Sequence, residues 1–130
     1  LVINDVEAAA LFECREWRYR EPFEETLADD LAMLERLGVR ETIVTCSSDG
    51  AVYLSTNSTT LERDAIDLGP VFETTGAGDS FLAGFLTARC EGRNVAESMD
   101  FASVVAGIKV TKREPGMPDR ENVNAVLARL

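Results

Sequence analysis

Thr74-Thr75-Gly76-Ala77-Gly78-Asp79-Ser80-Phe81-Leu82-Ala83-Gly84-Phe85-Leu86 places two glycines, one residue apart, ahead of a run of apolar and small residues. The run reads as a helix continuing to about residue 89, with the glycines at its loop-to-helix junction. Glycine there permits backbone angles and close approaches that a side chain would block. The N–H groups of Ala77, Gly78 and Asp79 then converge on one spot, helped by the helix dipole, and an anion belongs there. Asp79 is out of place beside an anion unless its role is chemical, as a carboxylate that accepts the proton of a hydroxyl attacking a phosphoryl group. The same residues also make a plain tight turn, with Thr75 as a cap and Asp79 complementing the dipole. No Gly-Lys-Ser/Thr follows, which excludes a P-loop, and Phe81 stands where a dinucleotide fingerprint needs its third glycine.

Outward from this turn, the chain alternates strand and helix and then runs into helices, which predicts an α/β layered fold. Leu1-Val2-Ile3 reads as a strand end, Asn4 as the N-cap of a helix with Glu7 at its third position, and 15–25 as a charged connector. A helix is expected from Thr26 to Gly38, with Leu27, Leu31 and Leu34 at helical spacing. Strands are expected over 42–45 and 51–54 about a Ser48-Asp49-Gly50 turn, and another near 61–68. The polar run 56–60 reads as a solvated hairpin end. A helix over 95–111 carries Met99, Ala102, Ala106 and Val110 along one face. A loop at 115–118 precedes a last helix capped by Asp119.

Composition narrows the function. The 130 residues carry a net charge of −10, which argues against nucleic acid or an anionic membrane as partner, since both require clustered Lys and Arg. No apolar run reaches the ~20 residues of a membrane span. The chain contains no His, so Ser-His-Asp and Cys-His catalysis are excluded. Cys14, Cys46 and Cys90 are odd in number and widely spaced, which fits reduced thiols and a cytoplasmic setting better than disulfides or zinc. The abrupt opening, with no Met and no signal-like region, is read as the inside of a longer chain.

The stretch 74–86 closely resembles the second signature of the ribokinase-like (PfkB) carbohydrate kinases over about a dozen consecutive positions. The resemblance implies the C-terminal part of a ribokinase-like three-layer α/β/α fold, with residues 1–130 forming a single nucleotide-binding, catalytic portion. The N-terminal substrate-binding half would lie outside it, leaving the fragment inactive by itself. It implies ATP and Mg²⁺ as cofactors and phosphoryl transfer to a hydroxyl of a sugar or sugar-like substrate. Asp79 would be the general base, and Gly76, Ala77 and Gly78 the anion hole.

Three further segments carry the resemblance. Asn4-Asp5-Val6-Glu7 is similar to the family's NxxE motif, in which Asn4 and Glu7 help place magnesium, although the pair is also a capping box in its own right. Thr45-Cys46-Ser47-Ser48-Asp49-Gly50 resembles a T-x-G-x-x-G turn bordering the nucleotide. That similarity assigns Thr45 and Gly50 to the nucleotide, with Ser47 replacing the usual glycine; an ordinary hairpin turn fits as well. The helix from Phe101 resembles the one lining the adenine pocket, with Ser103 nearest the base, or else a small residue at the edge of a core face. Glu73 stands where members that need a monovalent cation have Asp, and the loop 113–117 also differs, so no such requirement is read. An open edge at the first strand or an uncovered apolar patch is expected, which would permit a homodimer. A non-catalytic nucleotide-sensing or interaction domain on the same fold is the alternative.

Overall fold

The computed structural model describes residues 1–57 and 59–130, so Ser58, within the expected hairpin end, lies outside the described residues. The chain divides into two compact units, Leu1–Glu62 and Arg63–Leu130.

In the first unit β1 (Val2–Asn4) leads into α1 (Asp5–Leu11), then α2 (Phe23–Arg36), β2 (Glu41–Thr45) and β3 (Ala51–Ser55). β4 (Thr60–Arg63) completes a four-stranded sheet in the order β1-β2-β3-β4. β1 therefore stands at an edge, parallel to β2, while β2 and β3 are antiparallel. The fourth strand is shorter than the expected 61–68 stretch, because residues 64–68 carry no regular structure. β3 is buried along its whole length, and Val44, Val52 and Leu54 join Ala8, Leu27 and Leu34 in the core.

α2 begins at Phe23, three residues before the expected Thr26. The Thr26 hydroxyl does not cap a helix start; it turns back to the carbonyls of Pro22 (3.1 Å) and Phe23 (2.8 Å). The helix ends in a Schellman motif: Gly38 takes φ 75°, its N–H donates to the Glu35 carbonyl, and the Val39 N–H donates to that of Leu34. The charged connector ahead of α2 is not a solvated loop throughout. Trp17 is buried at its centre, its indole N–H donates to Asp30 of α2 at 2.9 Å, and Arg20 forks onto the same carboxylate. Burying Asp30 is tolerable because each oxygen has a donor.

The second unit holds α3 (Ala77–Cys90), α4 (Val95–Thr111) and α5 (Arg120–Leu127). Asn94 caps α4 in a capping box with Glu97, and Asp119 caps α5 through the Asn122 N–H. α4 was expected to bury one face; instead Ser98, Met99, residues 101–105, Gly107 and Ile108 are all buried, while Ala106 and Val110 are only half-buried. A helix apolar around its circumference is a central element, not a surface one. Gly84 lets α3 approach it closely, because a Cβ on Gly84 would meet the Ala102 Cα at 3.0 Å and the Val105 side chain at 3.1 Å. α5 docks through Val123, while Phe101 lies between the guanidinium groups of Arg93 and Arg120 at 5.2 and 5.1 Å.

Candidate active site

The 76–79 turn belongs to the second unit. Gly76 is the N-cap of α3 and takes φ 81°, a left-handed conformation that side chains rarely adopt. Thr75 is not the cap: its N–H and hydroxyl both donate to the Glu73 carboxylate, at 3.0 and 2.8 Å. Those two bonds, foremost, hold the Glu73 carboxyl below its ordinary range. The intrahelical ladder starts with Ser80 N–H to the Gly76 carbonyl at 2.9 Å.

Of the three N–H groups expected to be open, Ala77's is taken by the Thr74 carbonyl at 3.1 Å. Those of Gly78 and Asp79 have no hydrogen-bond partner among the described residues, and both residues are exposed. A pair of open N–H groups at the positive end of a helix of 14 residues favours an anion electrostatically. Space beside Gly78 is open, with nothing within 4 Å of a Cβ placed there. Ser103, the candidate for the base, is buried on α4 of the same unit.

The other candidates lie in the first unit, where β1 and β2 bring two of them side by side. Asn4 pairs in register with Thr45 at the carboxyl ends of these parallel strands, the end at which open α/β sheets bind ligands. Asn4 and Glu7 do form a capping box: Asn4 Oδ1 accepts from the Glu7 N–H and Glu7 Oε2 from the Asn4 N–H, both at 2.8 Å. This leaves Asn4 its amide N–H₂, and Glu7 its second oxygen, to face solvent or ligand. Among the described residues no three His, Cys, Asp or Glu side chains gather as a metal-holding group. A divalent cation here would rest on Glu7 and water, which suits magnesium, an ion that keeps several waters.

Past Thr45, the connection to β3 is not a two-residue hairpin turn. Residues 47–49 form a 3-10 turn, closed by Cys46 N–H to the Gly50 carbonyl at 2.7 Å. Ser47 takes φ 53° and Gly50 φ 84°. Ser47 thus keeps the left-handed backbone at the position where it replaces the first glycine of the resembled turn. The Cys46 thiol beneath is pushed up to about 12, first by burial and then by the carboxylates of Asp5 and Asp49.

Comparison with known proteins settles the lineage. A model of the pfkB family carbohydrate kinases matches residues 1–122. The chain belongs to that family. It is 33% identical over 105 residues to the ribokinase of Arabidopsis thaliana, covering 79% of this chain and 28% of that protein. It is also 33% identical over 102 residues to the 1-phosphofructokinase of Haloferax volcanii, covering 76% of this chain and 33% of that enzyme. The solved structure of the Arabidopsis ribokinase complexed with ribose and ATP superimposes with a TM-score of 0.85 at 31% identity, over 98% of this chain and 40% of that one. The fold is therefore the α/β ribokinase-like fold, and the chain spans about a third of the length of these relatives. Among the described residues no helix is long and apolar enough to cross a membrane.

Proposed function

We propose that the chain is the nucleotide-binding, catalytic portion of a kinase that transfers the terminal phosphoryl group of MgATP to a hydroxyl of a sugar or sugar-like molecule. The observation carrying this is the start of α3, where a left-handed Gly76 precedes two open N–H groups and the exposed carboxylate of Asp79. When bound, MgATP supplies the phosphoryl group, and its metal neutralises phosphate charge. The N–H groups of Gly78 and Asp79 hold the negative oxygens of the transferring group, an electrostatic role that grows as charge shifts in the transition state. Asp79 takes the proton from the acceptor hydroxyl as that oxygen bonds to the γ-phosphorus, whose bond to the β–γ bridging oxygen breaks and releases ADP. Asn4 and Glu7 orient the hydrated metal, Thr45 and Gly50 border the nucleotide, and Ser103 lies against the base.

The relatives act on different acceptors, ribose and a fructose phosphate by their names, so the acceptor is stated only as a sugar-like alcohol. Three unpaired thiols suit a reducing, cytoplasmic setting. β1 at the sheet edge leaves room for pairing with a second copy.

Calorimetric titration of the chain with a non-hydrolysable MgATP analogue tests the phosphate site. Saturable binding is expected, and it should disappear when Gly76 and Gly78 are both replaced by Val, while Gly92→Ala, outside the site, leaves it unchanged. No binding by the folded natural polypeptide carrying this sequence would overturn the reading. Binding without transfer to any of a panel of sugars would favour a nucleotide-sensing role.

A further inference from the structure

The end of α4 returns to the Gly-rich turn and brings a cation with it. The Val110 carbonyl accepts from the backbone N–H groups of Phe72 at 2.7 Å and Glu73 at 3.2 Å, fastening the last turn of α4 to the segment that enters the turn. One residue earlier, the Lys109 side chain runs past Gly76, its Cε 3.9 Å from where a Cβ on Gly76 would stand. Its ammonium donates to the Gly116 carbonyl at 3.1 Å, in the loop after α4. The neighbouring Met117 Sδ accepts from the Ser80 hydroxyl at 3.6 Å, in the first turn of α3. Arg113 closes the other side by stacking on Phe72 at 5.1 Å. Lys109 is thus the member of this set that bridges the turn and the loop.

A simpler role for Lys109 is to complement the dipole at the C-terminus of its own helix. That role needs only an ammonium near the last carbonyls of α4. The side chain instead reaches beyond them to a loop carbonyl and lies against Gly76. One of its three donors is engaged by Gly116, and its positive charge acts on the nearby Glu73 carboxylate as well as on the helix start, whose first turn also carries Asp79.

We propose that Lys109 is a positioning residue for the phosphate turn: its stem packs against Gly76, its ammonium holds the loop at Gly116, and together they place a positive charge near the start of the helix that presents the Gly78 and Asp79 N–H groups. The ligand it serves is the polyphosphate tail of the nucleotide. The proposal rests on the reading of 76–79 as a phosphate site. Lys109 acts through the turn, so its loss weakens the hold on the nucleotide more than it slows the chemistry.

The test uses the natural polypeptide carrying this sequence, with MgATP as ligand. Lys109→Met keeps the apolar stem and removes the charge; it should raise KM for MgATP by about tenfold, with a smaller change in kcat and an unchanged melting temperature. Lys109→Ala vacates the place beside Gly76, and added ethylammonium should restore part of its affinity while leaving the unaltered protein unaffected. Lys109→Arg should retain most of the affinity. Unchanged KM in both Lys109→Met and Lys109→Ala would overturn the proposal while leaving the kinase reading intact. So would loss of stability and affinity together without recovery by the amine. If the unaltered polypeptide binds no MgATP, the phosphate-site reading itself fails and takes this proposal with it.

Discussion

Single residues carry both what the sequence disclosed and what it hid. The bonds between Asn4 and Glu7 were legible because a capping box is a local pattern, three residues apart, and the structure forms both of its bonds. Local pattern also located the left-handed Gly76. The anchoring of Trp17 was not legible: a stretch so rich in charges reads as a loop, and the partner Asp30 lies 13 residues away on a helix. The buried Thr42 hydroxyl was equally invisible, since a Thr in a strand has no fixed partner. It is the one buried side-chain polar atom among the described residues that lacks a hydrogen bond. An unpaired buried hydroxyl costs about 1–3 kcal/mol, so Thr42→Val should raise stability by about 1 kcal/mol in denaturant unfolding. A loss of stability would mean that the hydroxyl has a partner in solution.

Helices and strands came through with errors of a physical kind. α2 starts early because Pro22 fixes an extended backbone just ahead of it and Phe23 and Glu24 propagate the helix without a side-chain cap. The one-sided reading of α4 failed because Ser98, Ser103 and Gly107 interrupt the apolar pattern; glycine is often fully buried, and Ser98 is tolerated inside because its hydroxyl donates to the Asn94 carbonyl at 2.7 Å. The small residues in 83–84 did announce close packing, and Gly84 bears it out. With the backbone of Ala102 at 3.0 Å, no side-chain shift can admit a larger residue. Gly84→Val should therefore cost about 1–3 kcal/mol of stability, read as a lowered melting temperature. Gly92→Ala, with open space around it but φ 82°, should cost less than that. Equal effects would show that α3 and α4 are not in close contact at Gly84.

For the molecule as a whole, fold class and lineage were readable because one dozen-residue signature and the strand–helix order agreed, whereas burial was not. Burial of Cys46 has a consequence for pH. Its thiol is raised to about 12 in the folded chain, so the unfolded chain loses that proton first as pH rises. The stabilisation from the neutral buried thiol is complete below about pH 8.5 and is lost progressively up to about pH 12. Native chain treated with a thiol reagent at neutral pH should be modified at exposed Cys90 and spared at Cys46 until denaturant is added, as mass spectrometry would show. Rapid native labelling of Cys46 would contradict its burial. The central claim is that Asp79 is the base of a phosphoryl transfer. The measurement is turnover of MgATP by the natural polypeptide carrying this sequence, against a sugar panel, in the unaltered and Asp79→Asn forms, with nucleotide binding followed in parallel. The account predicts that Asp79→Asn folds and binds MgATP but loses about a hundredfold to ten-thousandfold in kcat. Turnover within a fewfold of the unaltered protein would contradict it.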